Sequence, residues 1–448
     1  MGPPDPSAAP SAAPSTVSSP GSLAASLSEA VGTEHLRLGG SGDAVGGFVP
    51  RFVARPVSTA ALSALMRAAT RHDLAVVPSG GGTRLSWGPA PERVDVVANT
   101  KGMAGVVEHV AGDLVVVVRA GTALDDLQAA LARAGQRLAV DGHWPGATVG
   151  GLVAHGLSGP SRLGFGTLRD LLIGATFVRA DGTVAHTGGK VVKNVAGYDL
   201  GKLLHGSWGT LGVLAEVVFR LHPRPPASRW VTATAGTPAG ASALVQAVVQ
   251  SQAVAVAVEL DRPPQGPAAL TVMLEGPSAT IDARAAALGA RLATAAHSFA
   301  TSPRNGSSPI CLSDLAPPWW GRLPVDPGGV LIRATTELDA LPLLLGAFDA
   351  ASEATGLAAH ARGSAGVGSL MLGLPAGAAP DAVADLVSRL RAGTGRWNGS
   401  VVVLDGPPGM LGTLDAWGPV AGLELMQRVK EQFDPGRILS PGRFVGGI

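Results

Sequence analysis

Between Gly188 and Pro223 the chain reads GGKVVKNVAGYDLGKLLHGSWGTLGVLAEVVFRLHP, and no other stretch restricts the fold as much. Gly206, Gly209 and Gly212 recur at a spacing of three. Directly after them comes an apolar run, LGVLAEVVFRLHP, with polar residues spaced as in a strand that stops at Pro223. Glycines placed this way ahead of a strand imply a backbone that comes very close to something. The stretch also holds the sequence's single tyrosine, Tyr198, in a Gly-Tyr-Asp turn.

With 448 residues the chain is long enough for two or three domains, each with its own core. Its hydrophobic fraction of 46% against 15% charged residues raises the question of a membrane protein. However, Gly, Arg, Asp or His breaks every apolar stretch well short of the roughly 18 residues a spanning helix needs. A formal charge of +1 gives no electrostatic reason to expect nucleic acid or anionic lipid. One cysteine, Cys311, excludes a disulfide framework and any cluster held by four thiolates of this chain. If electrons pass through, the carrier is organic or sits in a partner. Residues 1–28 are Pro, Ala and Ser with hardly any charge and lack the basic and apolar segments of a secretory signal. They predict a disordered tail, ending by residue 40, on a cytoplasmic protein.

Organised sequence begins near Phe48. VPRFVARPVS predicts a strand closed by Pro56, and TAALSALMRAATRHD a helix capped by Ser58 or Thr59. A buried strand over 74–77 then opens into Gly80, Gly81 and Gly82. Strand, helix, strand and glycine loop follow one another as in a βαβ unit with a phosphate site at the strand's carboxyl end. Residues without Cβ let successive N–H groups converge on an anion, and Thr83 adds a hydroxyl. A flexible turn explains a lone triple glycine as well, and neither GxGxxG nor a P-loop lysine is present. Further on, strands over 94–100 and 114–119 and a helix over 124–134 are expected, with Asp125 and Asp126 serving that helix's dipole. The segment from Asp141 to Asp170, DGHWPGATVGGLVAHGLSGPSRLGFGTLRD, is again dense in glycine. A backbone so poor in side chains can lie along a large planar ligand, with Thr148 and Ser158 as hydroxyl partners.

Four segments, PSGGGTRL (78–85), PGATVGGLVAHGLSGP (145–160), the 188–223 stretch and FDPGRILSPGR (433–443), occur in the order seen in FAD-linked oxidases of the vanillyl-alcohol oxidase type, and the chain resembles that family. LSGP at 157–160 and GGKVVKNVAGYDL at 188–200 are most similar to the branch of E subunits of bacterial glycolate oxidases. The resemblance is strong over about 46–223 and the last 30 residues or so, and loose over 224–415. It implies an α+β architecture: a two-subdomain PCMH-type FAD-binding domain over 41–223, a ferredoxin-like α+β cap over 224–415, and a helix and tail over 416–448 that return to the FAD domain. It implies non-covalent FAD, since Thr83 follows the glycines where relatives often carry a linking histidine, leaving His143 and His155 as the loop histidines in question. By motif, Ser79, Gly80, Gly81, Gly82, Thr83, Arg84 and Leu85 would hold the pyrophosphate. Residues 141–148, among them Pro145, Gly146, Ala147 and Thr148, would line the flavin and ribityl chain, as would Gly150, Gly151, His155, Gly156, Ser158 and Gly159. Trp208, Gly209, Thr210, Leu211, Gly212, Val213 and Leu214 would wrap the adenine side. The partners implied are a homologous catalytic D-type flavoprotein subunit and an iron–sulfur F-type subunit, with any membrane contact peripheral and made through them.

Two departures bear on mechanism. Relatives often have Gly-Ser-Glu-Gly-Thr where this chain has Gly206, Ser207, Trp208, Gly209 and Thr210, so a carboxylate has become an indole. In the cap, catalytic relatives carry a His-Ala-Gly-Asp-Gly-Asn-Leu-His motif that binds a divalent metal. The best register here is Ser364 to Met371, SAGVGSLM, which keeps the glycines and loses every ligand. Oxidising a 2-hydroxy acid takes a cation for the carboxylate, a base for the hydroxyl proton and a flavin acceptor. Serine, valine and methionine provide neither of the first two, so no metal site is expected.

The chain therefore reads as an FAD-binding subunit of a 2-hydroxy acid oxidase complex that passes electrons or supports a catalytic partner. The alternatives are a scaffold that has lost FAD and a stand-alone alcohol oxidase. His360 and Arg362 read as a surface pair on a strand edge, Asp199 as capping its own turn, and Lys190, Lys193 and Asn194 as solvated residues beside that turn or as anion contacts. Trp319 and Trp320 read as a buried anchor rather than an exposed patch. Residues 300–325 read as a loop.

Overall fold

The computed structural model describes residues 20–191, 198–298 and 310–448. Lys193, Asn194, residues 1–19 of the expected tail and residues 300–309 of the expected loop lie outside them.

The segment 20–38, expected as tail, is ordered instead. Pro20–Val31 is a helix whose Leu23, Leu27 and Val31 are buried, and Leu36–Leu38 is a strand. Although the segment is rich in alanine and serine, those three apolar residues fall at a spacing of four and make one narrow helical stripe. The stripe packs on the helix Thr59–Arg71, which buries Leu62, Leu65, Met66 and Ala69. Ser58 caps the latter helix, its Oγ accepting from the Ala61 N–H at 3.1 Å.

Beneath these helices lies a four-stranded sheet in the order Leu36–Leu38, Phe52–Ala54, Val96–Asn99, Val76–Ser79. The last three strands run parallel, as expected of a βαβ unit, with Phe52 opposite Val96 and Val76 opposite Val96. A second sheet of five antiparallel strands has Val213–Arg220 at its centre, between Val115–Arg119 and Leu172–Val178. The carboxyl ends of the first sheet face Ala120 and the start of Val213–Arg220, so the glycine loops of both sheets meet in one place.

The cap is a single eight-stranded sheet made of two copies of one motif, each strand–helix–strand–strand–helix–strand. The first copy runs Ala227–Ala235, Pro238–Val249, Ala257–Arg262, Ala268–Gly276, Ser278–His297 and Ile310–Ser313. The second runs Val330–Thr335, Leu341–Thr355, His360–Ser364, Ser369–Leu374, Pro380–Trp397 and Ser400–Asp405. Each is ferredoxin-like. The two join edge to edge where Ala257–Arg262 pairs antiparallel with His360–Ser364, Glu259 facing Ser364. The four helices and one sheet face build the largest core, with Leu244, Leu288, Leu345, Leu386 and Trp397 fully buried. Ile310–Ser313, expected within a loop, is the edge strand of the first copy and pairs with Ala227–Ala235.

The C-terminal helix Leu423–Phe433 and the residues after it close on the first sheet. Val76 N donates to Ile438 O at 2.7 Å and Ser440 N to Val76 O at 2.9 Å. One buried ion pair fixes this return. Lys430 Nζ donates to Asp434 Oδ2 at 2.7 Å and to the Thr210 and Leu439 carbonyls at 2.8 Å, while Asp434 accepts from the N–H groups of Ile438 and Leu439.

Candidate functional site: a glycine-walled cavity between two sheets

The cavity between the sheets encloses about 720 Å³ including its mouth. Of the residues expected to hold a cofactor, Ser79, Gly80, Gly81, Gly82, Thr83, Arg84, Leu85, Thr148, Gly150, Gly151, His155, Trp208, Gly209, Gly212 and Val213 line it. Leu214, expected on the adenine side, lines it as well, as do Pro78, Ala154 and Ser207 within the motif segments, and Thr100, Ala120 and Leu204, which no motif singled out.

Pro145, Gly146, Ala147, Gly156, Ser158, Gly159, Thr210 and Leu211 are not among the lining residues. A Cβ on Gly81 would stand 1.9 Å from the Gly146 carbonyl oxygen, and one on Gly80 would stand 2.0 Å from Thr148 Oγ1. The triple glycine is therefore pressed onto the 146–148 loop, and this contact is the close approach that its composition implied. Ser158 spends its hydroxyl on the Leu168 N–H, Gly159 packs on Asp141, and the Thr210 carbonyl holds Lys430. Pro145 and Gly146 are exposed, Leu211 belongs to the core, and Gly156 ends the helix Val149–His155 in left-handed conformation.

The cavity's chemistry favours an anion. Among the described residues the N–H groups of Gly81, Gly82 and Thr83 donate to no protein acceptor, so they remain for a ligand. The lining contains Arg84 and no carboxylate. Burial lowers the Arg84 guanidinium to about 10, and its Nε has no partner. Arg443 is lowered likewise to about 10, and it ties the C-terminal segment to the carbonyls of Leu85 and Trp87. An uncompensated buried cation beside unpaired N–H groups fits a diphosphate.

Aromatic rings close the other end. Trp208, in left-handed conformation at φ 57°, stacks tilted on His155 at 4.9 Å and meets Trp417 edge-on at 5.2 Å. The indole that replaces an acid is thus a packing element, joining the glycine loop to the C-terminal segment. His155 donates from Nδ1 to the Gly151 carbonyl at 3.1 Å, and burial together with Arg84 pushes its pKa down to about 3. It is a neutral ring at physiological pH. His143, the other loop histidine, is exposed.

Further expectations sort out by geometry. Asp199 pairs with Lys202 at 3.1 Å and Lys190 with Glu108, which accounts for both charges locally. His360 and Arg362 are no strand-edge pair. Their strand is interior to the sheet, and both reach Asp261 Oδ1 at 2.7 Å, holding that carboxylate low against the opposing effect of burial. Trp319 lies under the Arg362 guanidinium, and Trp320 packs edge-on to Trp230, each ring half-buried. Ser364–Met371 forms the turn between two central cap strands and offers no metal ligands, and no cluster of His, Cys, Asp or Glu suited to a metal occurs among the described residues. No helix among them is long and apolar enough to cross a membrane.

Two sheets that enclose an anion-binding cavity, under a double ferredoxin-like cap, define a flavoprotein fold of the PCMH type. Residues 50–188 match the FAD binding domain family, and residues 415–444 match the C-terminal domain of FAD linked oxidases. Over these two segments the chain matches domains of FAD-linked oxidases, and the cavity that the first of them lines fits FAD. The glycolate oxidase subunit GlcE of Escherichia coli is 45% identical over 126 residues, 28% of this chain and 36% of that protein. The glycolate oxidase subunit GlcD of Bacillus subtilis is 31% identical over 217 residues, 48% of this chain and 46% of that protein. The matched segments thus span between about a third and a half of those relatives' lengths. Among solved structures, 4-ethylphenol oxidase from Gulosibacter chungangensis superposes with a TM-score of 0.71 at 15% identity, over 94% of this chain and 96% of that one.

Proposed function

We propose that the chain is the FAD-bearing, non-catalytic subunit of a complex that oxidises a 2-hydroxy acid of the glycolate type. It binds FAD without a covalent bond, Gly81–Thr83 and Arg84 taking the diphosphate. It works beside a homologous catalytic flavoprotein and an iron–sulfur subunit, passing electrons or supporting the catalytic chain. The observation that carries this reading is the pairing of an intact anion cradle with a cap turn that has no metal ligand and no base. Similarity to glycolate oxidase subunits of both kinds supports the substrate class and the complex. Bound FAD supplies a two-electron acceptor; this chain's residues hold it, with Trp208 on the cavity wall and His155 kept neutral by burial.

The test is the purified chain's visible spectrum before and after acid precipitation, together with glycolate turnover by the chain alone and with co-expressed partners. Flavin bands that leave with the supernatant, and turnover only with partners, are expected. A colourless chain points to the scaffold reading, and turnover by the chain alone overturns the non-catalytic assignment.

A further inference from the structure

The first sheet buries one face under its helices and carries a row of hydrogen-bond donors on the other. Leu36, Phe52, Ala54, Val96 and Ala98 pack beneath Pro20–Val31 and Thr59–Arg71. Strand alternation therefore puts His35, Arg37, Val53, Arg55, Val97 and Asn99 on the opposite face. Register aligns three of these. Leu36 lies opposite Ala54 and Ala54 opposite Ala98, and the Arg55 N–H donates to the His35 carbonyl at 2.8 Å. His35, Arg55 and Asn99 thus stand side by side on neighbouring strands, about 4.8 Å apart from one to the next. Lys101 follows on the turn Thr100–Gly102, where its N–H donates to Asn99 Oδ1 at 3.0 Å.

These four residues line a second cavity of about 770 Å³ including its mouth. It opens at the carboxyl ends of Phe52–Ala54 and Val96–Asn99, the end at which parallel strands bind ligands. Ser79 of the flavin cavity lies opposite Asn99 on the next strand, so the two cavities share one edge of the sheet without sharing a lining residue. Arg37 also lines the second cavity, but its guanidinium is spent on Asp43 at 2.7 and 2.6 Å. Arg55 and Lys101 are not spent. Among the described residues neither side chain has a hydrogen-bond or ion-pair partner. Gly102 holds them together, since a Cβ there would stand 3.1 Å from Arg55 Cγ. The one carboxylate of the lining, Glu34, is 3.5 Å from His35 Nε2. Asn99 has its oxygen engaged by Lys101 and its amide N–H groups left to donate. Guanidinium, ammonium, imidazole and amide donors approach this cavity from different strands. A tetrahedral oxyanion accepts from several directions at once, whereas a planar carboxylate matches a single fork.

We propose that His35, Arg55, Asn99 and Lys101 form a binding site for a phosphate group, either inorganic phosphate or a small phosphomonoester. Arg55 and Lys101 take its charge, and the His35 ring and Asn99 amide add donors. The site is independent of the function proposed above. Its cations face solvent, so salt weakens the binding.

The test is calorimetric titration of the full chain, kept in excess FAD, with inorganic phosphate, with glycerol 3-phosphate, and with chloride as the control anion. Phosphate binding tighter than that of chloride is expected. A preference for glycerol 3-phosphate assigns the site to an organic phosphate, and a preference for the inorganic ion to the free anion; either upholds it. Arg55→Met and Lys101→Met should each weaken binding at least about fivefold, with partial recovery in Arg55→Lys. Glu34→Gln, which removes the carboxylate beside His35, should tighten it. Arg428→Met, an exposed cation on the C-terminal helix, should leave it unchanged. Thermal midpoints close to wild type show that a loss is not unfolding. Phosphate that binds no better than chloride, or methionine variants at 55 and 101 that bind as wild type, overturns the proposal. Phosphate that binds only when FAD is left out overturns it too, because that anion would occupy the cofactor cavity.

Discussion

Glu259 gives the protein a pH dependence that a single isosteric change removes. The side chain is 5% exposed, and burial moves its pKa from 4.5 to about 8. A carboxyl with a raised folded-state pKa contributes its stability fully below 4.5 and loses it as pH rises towards 8, because the unfolded chain releases a proton that the folded chain must keep. Each unit of that window is worth about 1.36 kcal/mol. The cost is therefore under ~1 kcal/mol at pH 5, about 3 kcal/mol at pH 7, and levels off near 5 kcal/mol above pH 8. Glu259→Gln keeps the shape and has no proton to retain. Urea unfolding of wild type and variant, followed by tryptophan fluorescence from pH 5 to 8.5, should show the variant more stable by a margin that widens with pH in those steps. Parallel profiles would refute the raised pKa, and a variant less stable at every pH would mean that Glu259 is a carboxylate paired with Arg162.

Lys430→Met leaves the buried Asp434 charge without its cation and should cost about 3–5 kcal/mol in denaturant unfolding, while exposed Lys190→Met should cost almost nothing. Gly81→Ala pushes a methyl against the Gly146 carbonyl, and the loop shift, worth about 1–3 kcal/mol, should lower FAD affinity by roughly 10- to 100-fold in reconstitution titrations. Trp208→Ala removes the ring shared by His155 and Trp417 and should destabilise by about 3–5 kcal/mol, read as a lower thermal midpoint. On the acid side the sign reverses. His155 is held near 3, so stability is lost as pH falls from 6.5 towards 3, and His155→Gln should flatten that limb of a thermal-midpoint profile.

The parts of the fold written in local pattern were legible in the sequence. Ser58 and its helix, the parallel strands around Val96, the glycine loop at 80–82 and the helix Leu423–Phe433 all follow from spacing, caps and turn residues. The helix Pro20–Val31 was hidden by its composition, since three buried side chains suffice to dock it once Thr59–Arg71 is in place. Whether a glycine faces the ligand or the loop behind it cannot be read from residue type. Gly81 touches both the cavity and Gly146, whereas Gly159 touches only Asp141. His35, Arg55 and Asn99 belong to segments far apart in sequence, and only strand register sets them side by side. The joining of the two cap copies was equally beyond reach, because it depends on register between residues 259 and 364 rather than on local preference.

The return of residues 438–443 to the first sheet fixes when the cofactor site can exist. Val76 has its ladder partner, and Leu85 and Trp87 their arginine, only after Ile438 and Arg443 have been made. At about 5–20 residues per second the ribosome takes roughly 10–40 s to pass from the end of the second sheet to that point. The cap thus has time to form while the glycine loops are still open on one side. A chain interrupted before Ile438 would carry the whole cap and a flavin cavity without its C-terminal ties.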